Sequence, residues 1–171
     1  ELKALFIQLT KLGNEPNESV QKSIKAHNTS DKELAKELFA DDLRINALTV
    51  EIEKEAFRII ALQQPVSSDL RLVFAVLTSS LDIERIADHA VSIGRAVIRR
   101  KETEQHVDQL DEVVNRMAET AQTMISDAMD AFVNRDAETA TKVALLDEIV
   151  DAGLKEIYHE SAKRMQKNTE M

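Results

Sequence analysis

The chain of 171 residues has no cysteine, no tryptophan, one tyrosine, three glycines and two prolines. The missing cysteines exclude disulfides and thiolate metal sites. The scarcity of glycine, proline and aromatic residues, beside abundant Ala, Leu, Glu, Lys and Asp, favours helix and disfavours sheet. No apolar run approaches the roughly 20 residues of a membrane span, and no signal peptide is visible. The formal net charge of −9 lacks the basic excess from which phosphate-backbone affinity comes, which argues against a nucleic-acid binder. It also argues against docking on anionic lipid, while leaving contact with a basic protein surface open. A Gly-rich phosphate loop, a nucleophile elbow and a Ser/His/Asp constellation are all missing, so nothing points to covalent catalysis. The expectation is a soluble, acidic, intracellular, all-helical protein. Because the chain starts at Glu1 rather than Met, an N-terminal piece is expected to precede it.

What is present is helical periodicity along nearly the whole chain. Leu2, Leu5, Leu9, Leu12, Val20 and Ile24 form an apolar ladder, with a break or kink expected at Gly13 and Pro16. Residues 28–31 read as a turn, and Ser30 with Glu33 has capping-box spacing for a second helix through Leu34, Leu38, Ile45, Leu48, Ile52 and Ile59. Gln63-Gln64-Pro65 ends that helix, and Pro65 or Ser68 starts a third running to about Arg99. Arg95, Arg99, Arg100 and Lys101 then read as a solvated helix end that complements the dipole.

A shift of roughly 105 residues reproduces the pattern. Val107, Leu110, Val114, Met117, Ile125 and Met129 overlay the first ladder, while Asp31, Glu33, Asp42, Glu51, Ile52 and Glu55 recur as Asp136, Glu138, Asp147, Glu156, Ile157 and Glu160. The expected fold is all-α, a tandem repeat of antiparallel three-helix bundles. Residues 1–100 form the first repeat, and 101–171 a partial second one of two helices that stops before its third. Partner helices or a swapped dimer are expected to cover the apolar stripe left open.

Within the third helix, SLDIERIADHAVSIGR (80–95) places Glu84 and Asp88 four apart among Leu81, Ile83, Ile86, Ala87, Ala90, Val91 and Ile93. Like charges at this spacing repel, and buried carboxylates are costly unless compensated. Counting equal rise from the Gln64-Pro65 turn puts Asp88 level with Asp42 and Glu84 level with Asn46, with Glu15 or Glu18 near the same height. The repeat puts Asp147 and Asp151 at the corresponding level of the second bundle. Converging carboxylate and amide oxygens suit a hard cation such as Mg²⁺, Ca²⁺, Mn²⁺ or iron. The alternative is that the acids pair with Arg44, Arg85 or Arg95, or face water. Glu156 and His159 have the Glu-x-x-His spacing of di-iron bundles, but stand alone and read as an ordinary surface helix. His89 points about 100° away from Asp88, His27 and His106 lie near helix ends, and Met117, Met124 and Met129 read as core.

The stretch IIALQQPVSSDLRLVFAVLTSSLDIERIADHAVSIGRA (59–96), together with Asp31-Lys32-Glu33-Leu34-Ala35 and Asp42…Ile45-Asn46, resembles the PhoU family of phosphate-signalling regulators. The resemblance covers nearly the whole chain. It implies two tandem three-helix bundles whose ExxxD or DxxxD motifs bind metal: iron, zinc, manganese or magnesium. Carried over, the metal-binding residues are Asp42, Asn46, Glu84 and Asp88 in the first bundle, with Asp147 and Asp151 in the second. Asn46 stands where the pattern has an acid, Ala87 replaces the usual Gly, and the second ExxxD falls beyond Met171. A weaker first site and a half-built second one are therefore expected. The resemblance also implies a cytoplasmic negative regulator of the phosphate-starvation response. Its partners would be the ATPase subunit of the phosphate ABC transporter and a sensor histidine kinase, and it would form a homodimer without enzymatic activity. Two other readings of the same residues are a carboxylate-bridged di-metal oxidoreductase and a metal-free helical scaffold.

Overall fold

The computed structural model describes residues 1–101 and 108–169, and every regular element among them is an α-helix. Val107 of the second ladder lies outside the described residues. The chain divides into two compact units, Glu1–Arg100 and Lys101–Met171.

The first unit contains α1 (Leu2–Leu12), α2 (Glu15–Thr29), α3 (Lys32–Gln63) and α4 (Ser67–Arg99). The two short helices are one arm of a three-helix bundle, broken in the middle. Gly13 keeps right-handed helical angles (φ −63°, ψ −16°), so the break has a different cause. Pro16 has no N–H to return to the carbonyl four residues back, and it starts α2 afresh. The buried face of α1 is Leu5, Leu9 and Leu12, as its periodicity indicates. On α2 the buried residues are instead Pro16, Ser19, Ser23 and Ala26, while Val20 and Ile24 are only half-buried. Small side chains let α2 approach α3 and α4 closely, and the larger ones flank that contact.

The helix ends explain why the repeat is so regular. Ser30 closes α2 in the left-handed conformation (φ 51°, ψ 31°), and the amides of Asp31 and Ser30 return to the carbonyls of Ala26 and His27. This is a Schellman ending, which satisfies two orphan carbonyls. Asp31, not Ser30, then caps α3, accepting from the amides of Glu33 and Leu34 at 3.0 and 2.9 Å. Ser30 is committed to the preceding helix and cannot serve the next. The same device recurs in the second unit with Arg135 left-handed, the Asp136 amide on Ala131 and Asp136 accepting from Glu138 and Thr139.

α3 and α4 are joined by a tight turn. Gln64 takes the left-handed conformation, Val66 is extended, and α4 begins at Ser67, between the two starts expected. Their shared core is built from Leu38, Ile45, Ile52 and Ile59 on α3 with Val73, Val76, Ile83, Ala87 and Ala90 on α4. Leu81 departs from the apolar reading of its helix, because it is 46% exposed. Leu34 and Leu48 are half-buried. Arg100 also departs from expectation. Its guanidinium reaches the His27 carbonyl at 3.2 Å and Ser30 Oγ at 3.3 Å, so it neutralises the C-terminus of α2 rather than standing in solvent.

The second unit contains α5 (Asp108–Asn134), α6 (Ala137–Leu145) and α7 (Asp147–Thr169). Ala121 stands where the first repeat has Pro16, and α5 accordingly runs unbroken. The second arm is interrupted at Leu146, with no proline or glycine to account for it. Gly153 lets α7 pack tightly on α5, since a Cβ there would sit 2.6 Å from Met117 Cγ. Among the described residues no helix is long and apolar enough to cross a membrane.

Candidate metal site

Ala35, Asp42, Thr49 and Ala56 recur every seven residues on α3, and Ser80, Ala87 and Gly94 do so on α4. Residues at that spacing lie on one stripe of a helix. Gly94 and Ala35 fix how the stripes meet, because a Cβ at Gly94 would lie 3.2 Å from the Ala35 carbonyl oxygen and 2.7 Å from Leu38 Cδ1. Antiparallel helices then advance in step at about 1.5 Å per residue. Asp42 comes level with Ala87 and Asp88, Asn46 with Glu84, and Thr49 with Ser80.

Asn46 Nδ2 donates to Asp42 Oδ2 at 3.3 Å. Asp42 Oδ1, Asn46 Oδ1 and Thr49 Oγ1 are each buried without a hydrogen-bond partner. Burial raises the Asp42 pKa, reinforced by the negative charge of Asp88 nearby, which favours the protonated form. Arg95, stacked 5.7 Å over the Phe39 ring, and Asn46 oppose that rise. The Glu84 pKa is raised too, first by burial and then by Asp88 and Asp42. Of the basic side chains considered as partners, Arg95 acts on Asp42 and Arg85 on Glu84 through their charge, while among the described residues none forms an ion pair with the three acids. Arg44 binds Glu15 at 2.6 Å and lies 3.6 Å from Asp41, and Arg85 lies 3.8 Å from Asp82. Asp42 and Glu84 are thus half-buried beside the exposed Asp88, and Arg95 and Arg85 only partly offset the repulsion among the three acids, an arrangement that costs stability.

The donor set is all oxygen, with carboxylates of Asp42, Glu84 and Asp88 and the neutral oxygen of Asn46. That chemistry fits a hard cation. Among the described residues, however, no three His, Asp or Glu side chains are grouped closely enough to hold an ion by themselves. In the second unit, Asp147 and Asp151 lie on the first two turns of α7 and are exposed. Glu156 is taken by Arg116 of α5 at 2.7 Å and His159 is exposed, which leaves the lone Glu-x-x-His without the converging partners a di-metal site needs. Thr49, seven residues after Asp42 on the same stripe, adds a further buried oxygen to it, which the acidic motifs alone do not reveal.

α3 has a second feature on its outer side. Ala40, Leu43, Ala47, Val50, Phe57 and Ala61 alternate by threes and fours, interrupted by Lys54, and all are exposed. Leu43 is 71% and Phe57 63% exposed, so this apolar row has no cover within its unit.

A model of the PhoU domain matches residues 9–97 and 114–171. The chain belongs to the PhoU family. It is 33% identical over 161 residues to the phosphate-specific transport system accessory protein PhoU homolog of Clostridium acetobutylicum, covering 94% of this chain and 73% of that protein. The correspondingly named protein of Caulobacter vibrioides is 34% identical over 160 residues, covering 94% and 69%. Two crystal structures share the fold. PhoU from Pseudomonas aeruginosa superposes with a TM-score of 0.91 at 30% identity, over 99% of this chain and 80% of that one. The phosphate transport system regulatory protein PhoU from Streptococcus pneumoniae superposes at 0.89 with 31% identity, over 98% and 78%. The family match spans both units, so the tandem repeat is a PhoU repeat.

Proposed function

We propose that this chain is a regulator of phosphate uptake that works as an adaptor and has no chemistry of its own. It would act as a cytoplasmic negative regulator of the phosphate-starvation response, linking the ATPase subunit of a phosphate ABC transporter to a sensor histidine kinase. The observation that carries this reading is the PhoU match across both units, with relatives named as accessory or regulatory proteins of phosphate transport. The distribution of charge supports an adaptor with two unlike faces. Of the 31 acidic residues 16 fall in residues 101–171, against 8 of the 22 basic ones, while the first unit is nearly neutral. An acidic unit suits docking on a basic protein surface, and the apolar row of α3 suits a helix or groove of a second partner. Self-association into a homodimer would compete for the same apolar surface.

The metal role is part of this proposal. Asp42, Asn46, Glu84 and Asp88 would hold a cation between α3 and α4, and Asp147 with Asp151 would contribute to a second site. Bound there, a cation would supply the positive charge that the three acids of the first unit lack, tying the helices together. The metal-free scaffold remains the second reading, favoured by the absence of any closely grouped trio of acids among the described residues.

The test is capture of the purified transporter ATPase subunit and of the kinase's cytoplasmic domain by the full chain. Capture of either supports the adaptor. Failure with both, in the presence and absence of metal, would remove it.

A further inference from the structure

The outer row of α3 has the spacing of a coiled-coil seam. Ala40, Leu43, Ala47, Val50, Lys54, Phe57 and Ala61 step alternately by three and four residues, and all are exposed. Leu43, Val50 and Phe57 recur every seven residues along one edge, and Ala40, Ala47, Lys54 and Ala61 along the other. One edge is therefore bulky and the other mostly alanine. A seam of this kind packs best on a helix whose bulky residues meet its small ones. The core side of α3, at Leu38, Ile45, Ile52 and Ile59, faces the opposite way, so the seam stays open within its unit.

The charges beside the seam point to what covers it. Glu37, Arg44, Glu51 and Arg58 also recur every seven residues, with alternating sign, along one flank. Such a row is complementary to itself read backwards. Two α3 helices laid antiparallel, with Ala47 of each level with Val50 of the other, set Ala40 against Phe57 and Leu43 against the aliphatic stem of Lys54. In that register Glu37 meets Arg58 and Arg44 meets Glu51, each twice and within about 3 Å of level. Neighbouring registers fail. Sliding one helix a heptad one way brings Glu51 against Glu51 and Arg44 against Arg58. Sliding it the other way brings Lys54 against Lys36 and Arg44 against Arg44. A parallel pair, which symmetry holds in register, stacks Lys54 on Lys54 and alanine on alanine. The flanking side chains retain the exposure to reach across, at 61% for Glu37, 50% for Arg44 and 44% for Arg58.

We infer that the seam is covered by α3 of a second copy of this chain, packed antiparallel about a two-fold axis near Leu48 and Thr49. Ala47 against Val50 forms the central layers, and the Glu37–Arg58 and Arg44–Glu51 pairs set the register. Burial of the apolar layers drives the association. Exposed ion pairs add little affinity, but like charges in the other registers exclude those arrangements. The inference deepens the homodimer of the reading above and rests on that part of it alone. It is measured on the chain by itself, so failure to capture the ATPase subunit or the kinase leaves it standing.

The experiment is sedimentation equilibrium of the full chain over a concentration series, with circular dichroism to check folding. It compares the wild type with Val50→Glu, Arg44→Glu, Glu51→Arg and the double variant Arg44→Glu/Glu51→Arg. The wild type should dimerise reversibly. Val50→Glu changes a side chain that is exposed in the single copy, so it should keep its helix content while weakening association about a hundredfold or more. Each single reversal sets like charges together twice and should weaken association roughly tenfold, whereas the double variant should return to within about twofold of the wild type. Because the chain has no cysteine, a spin label on Lys36→Cys reads orientation separately. The antiparallel register sets the two labelled positions about 37 Å apart along the helices, against roughly 10 Å for a parallel pair. A wild type that stays monomeric throughout would overturn the inference. So would a dimer indifferent to Val50→Glu, which must form elsewhere on the chain, or a short label distance with no rescue in the double variant.

Discussion

Asn46 Nδ2 donates to Asp42 Oδ2 across one turn of α3, which leaves the other Asp42 oxygen and the one side-chain oxygen of Asn46 buried and unpartnered. The pair does not satisfy itself. An amide can offer its hydrogens to a carboxylate, but both residues are then left with acceptor oxygens and no donor to meet them. Facing them, Glu84 and Asp88 bring more acceptors. The site is therefore electrostatically frustrated in the protein alone, and that condition can be measured.

Asp42→Asn and Glu84→Gln should each raise the stability of metal-free protein at neutral pH. Both acids have folded-state pKa values raised above 3.8 and 4.5 respectively, so the fold binds their protons more tightly than the unfolded chain does. Stability contributed by these groups is complete below the unfolded pKa and is lost as pH rises through the folded one. The advantage of each variant should consequently shrink on acidification toward pH of about 4. Urea melts at a series of pH values read this directly, and a gain independent of pH would contradict the assignment.

Gly94 and Gly153 should respond in opposite ways to alanine. At Gly94 the new methyl meets the Ala35 backbone oxygen as well as Leu38, and backbone cannot swing aside. Overpacking of about 1–3 kcal/mol then outweighs a gain of about 1 kcal/mol in helix propensity. At Gly153 the obstacle is the flexible end of Met117, which can move. Gly94→Ala should destabilise the chain, while Gly153→Ala should be neutral or stabilising. Equal losses at both positions would contradict this.

Asp31→Ala should cost about 1 kcal/mol, because two amides at the start of α3 lose their acceptor. Ser30→Ala should cost less, since Ser30 closes α2 mainly through its backbone and its hydroxyl takes only a long, exposed 3.3 Å bond from Arg100. If the alanine at Ser30 proved the more damaging of the two, the capping assignment would be reversed.

Phe57→Glu should leave stability within about 0.5 kcal/mol, as expected of an exposed position away from the core. It should nevertheless abolish capture of whichever partner docks on the outer row of α3. Retained capture of both the ATPase subunit and the kinase would remove this surface from the adaptor model.

The salt network between α2 and α3 should matter modestly and depend on salt. Lys22 Nζ lies 2.6 Å from Asp41 and 3.3 Å from Glu37, with Asp41 extending to Arg44 and Glu15. The side chains are partly solvated, so Lys22→Met should cost on the order of 1 kcal/mol or less and approach zero at high salt. A loss insensitive to salt would indicate packing rather than charge.

Much of the architecture was legible in the chain itself. Spacing of apolar residues is a local property, and it yielded the helices, the hairpin at Gln64-Pro65 and the recurrence after about 105 residues, down to the equivalence of Asp31 and Asp136. The acids could be placed on their helices and at their heights for the same reason. Periodicity does not say which neighbour a side chain meets. Packing across helices decided that Ser19, Ser23 and Ala26, not Val20 and Ile24, would be the inner face of α2. It turned Arg100 back onto the end of α2 and left Leu81 in solvent. It also left Asp42 and Glu84 half-buried beside one another and Asp88, while Asp147 and Asp151 stayed exposed. Above all it stripped Thr49 of its hydrogen bonds. Desolvation belongs to the assembled bundle, and no single helix could have revealed it.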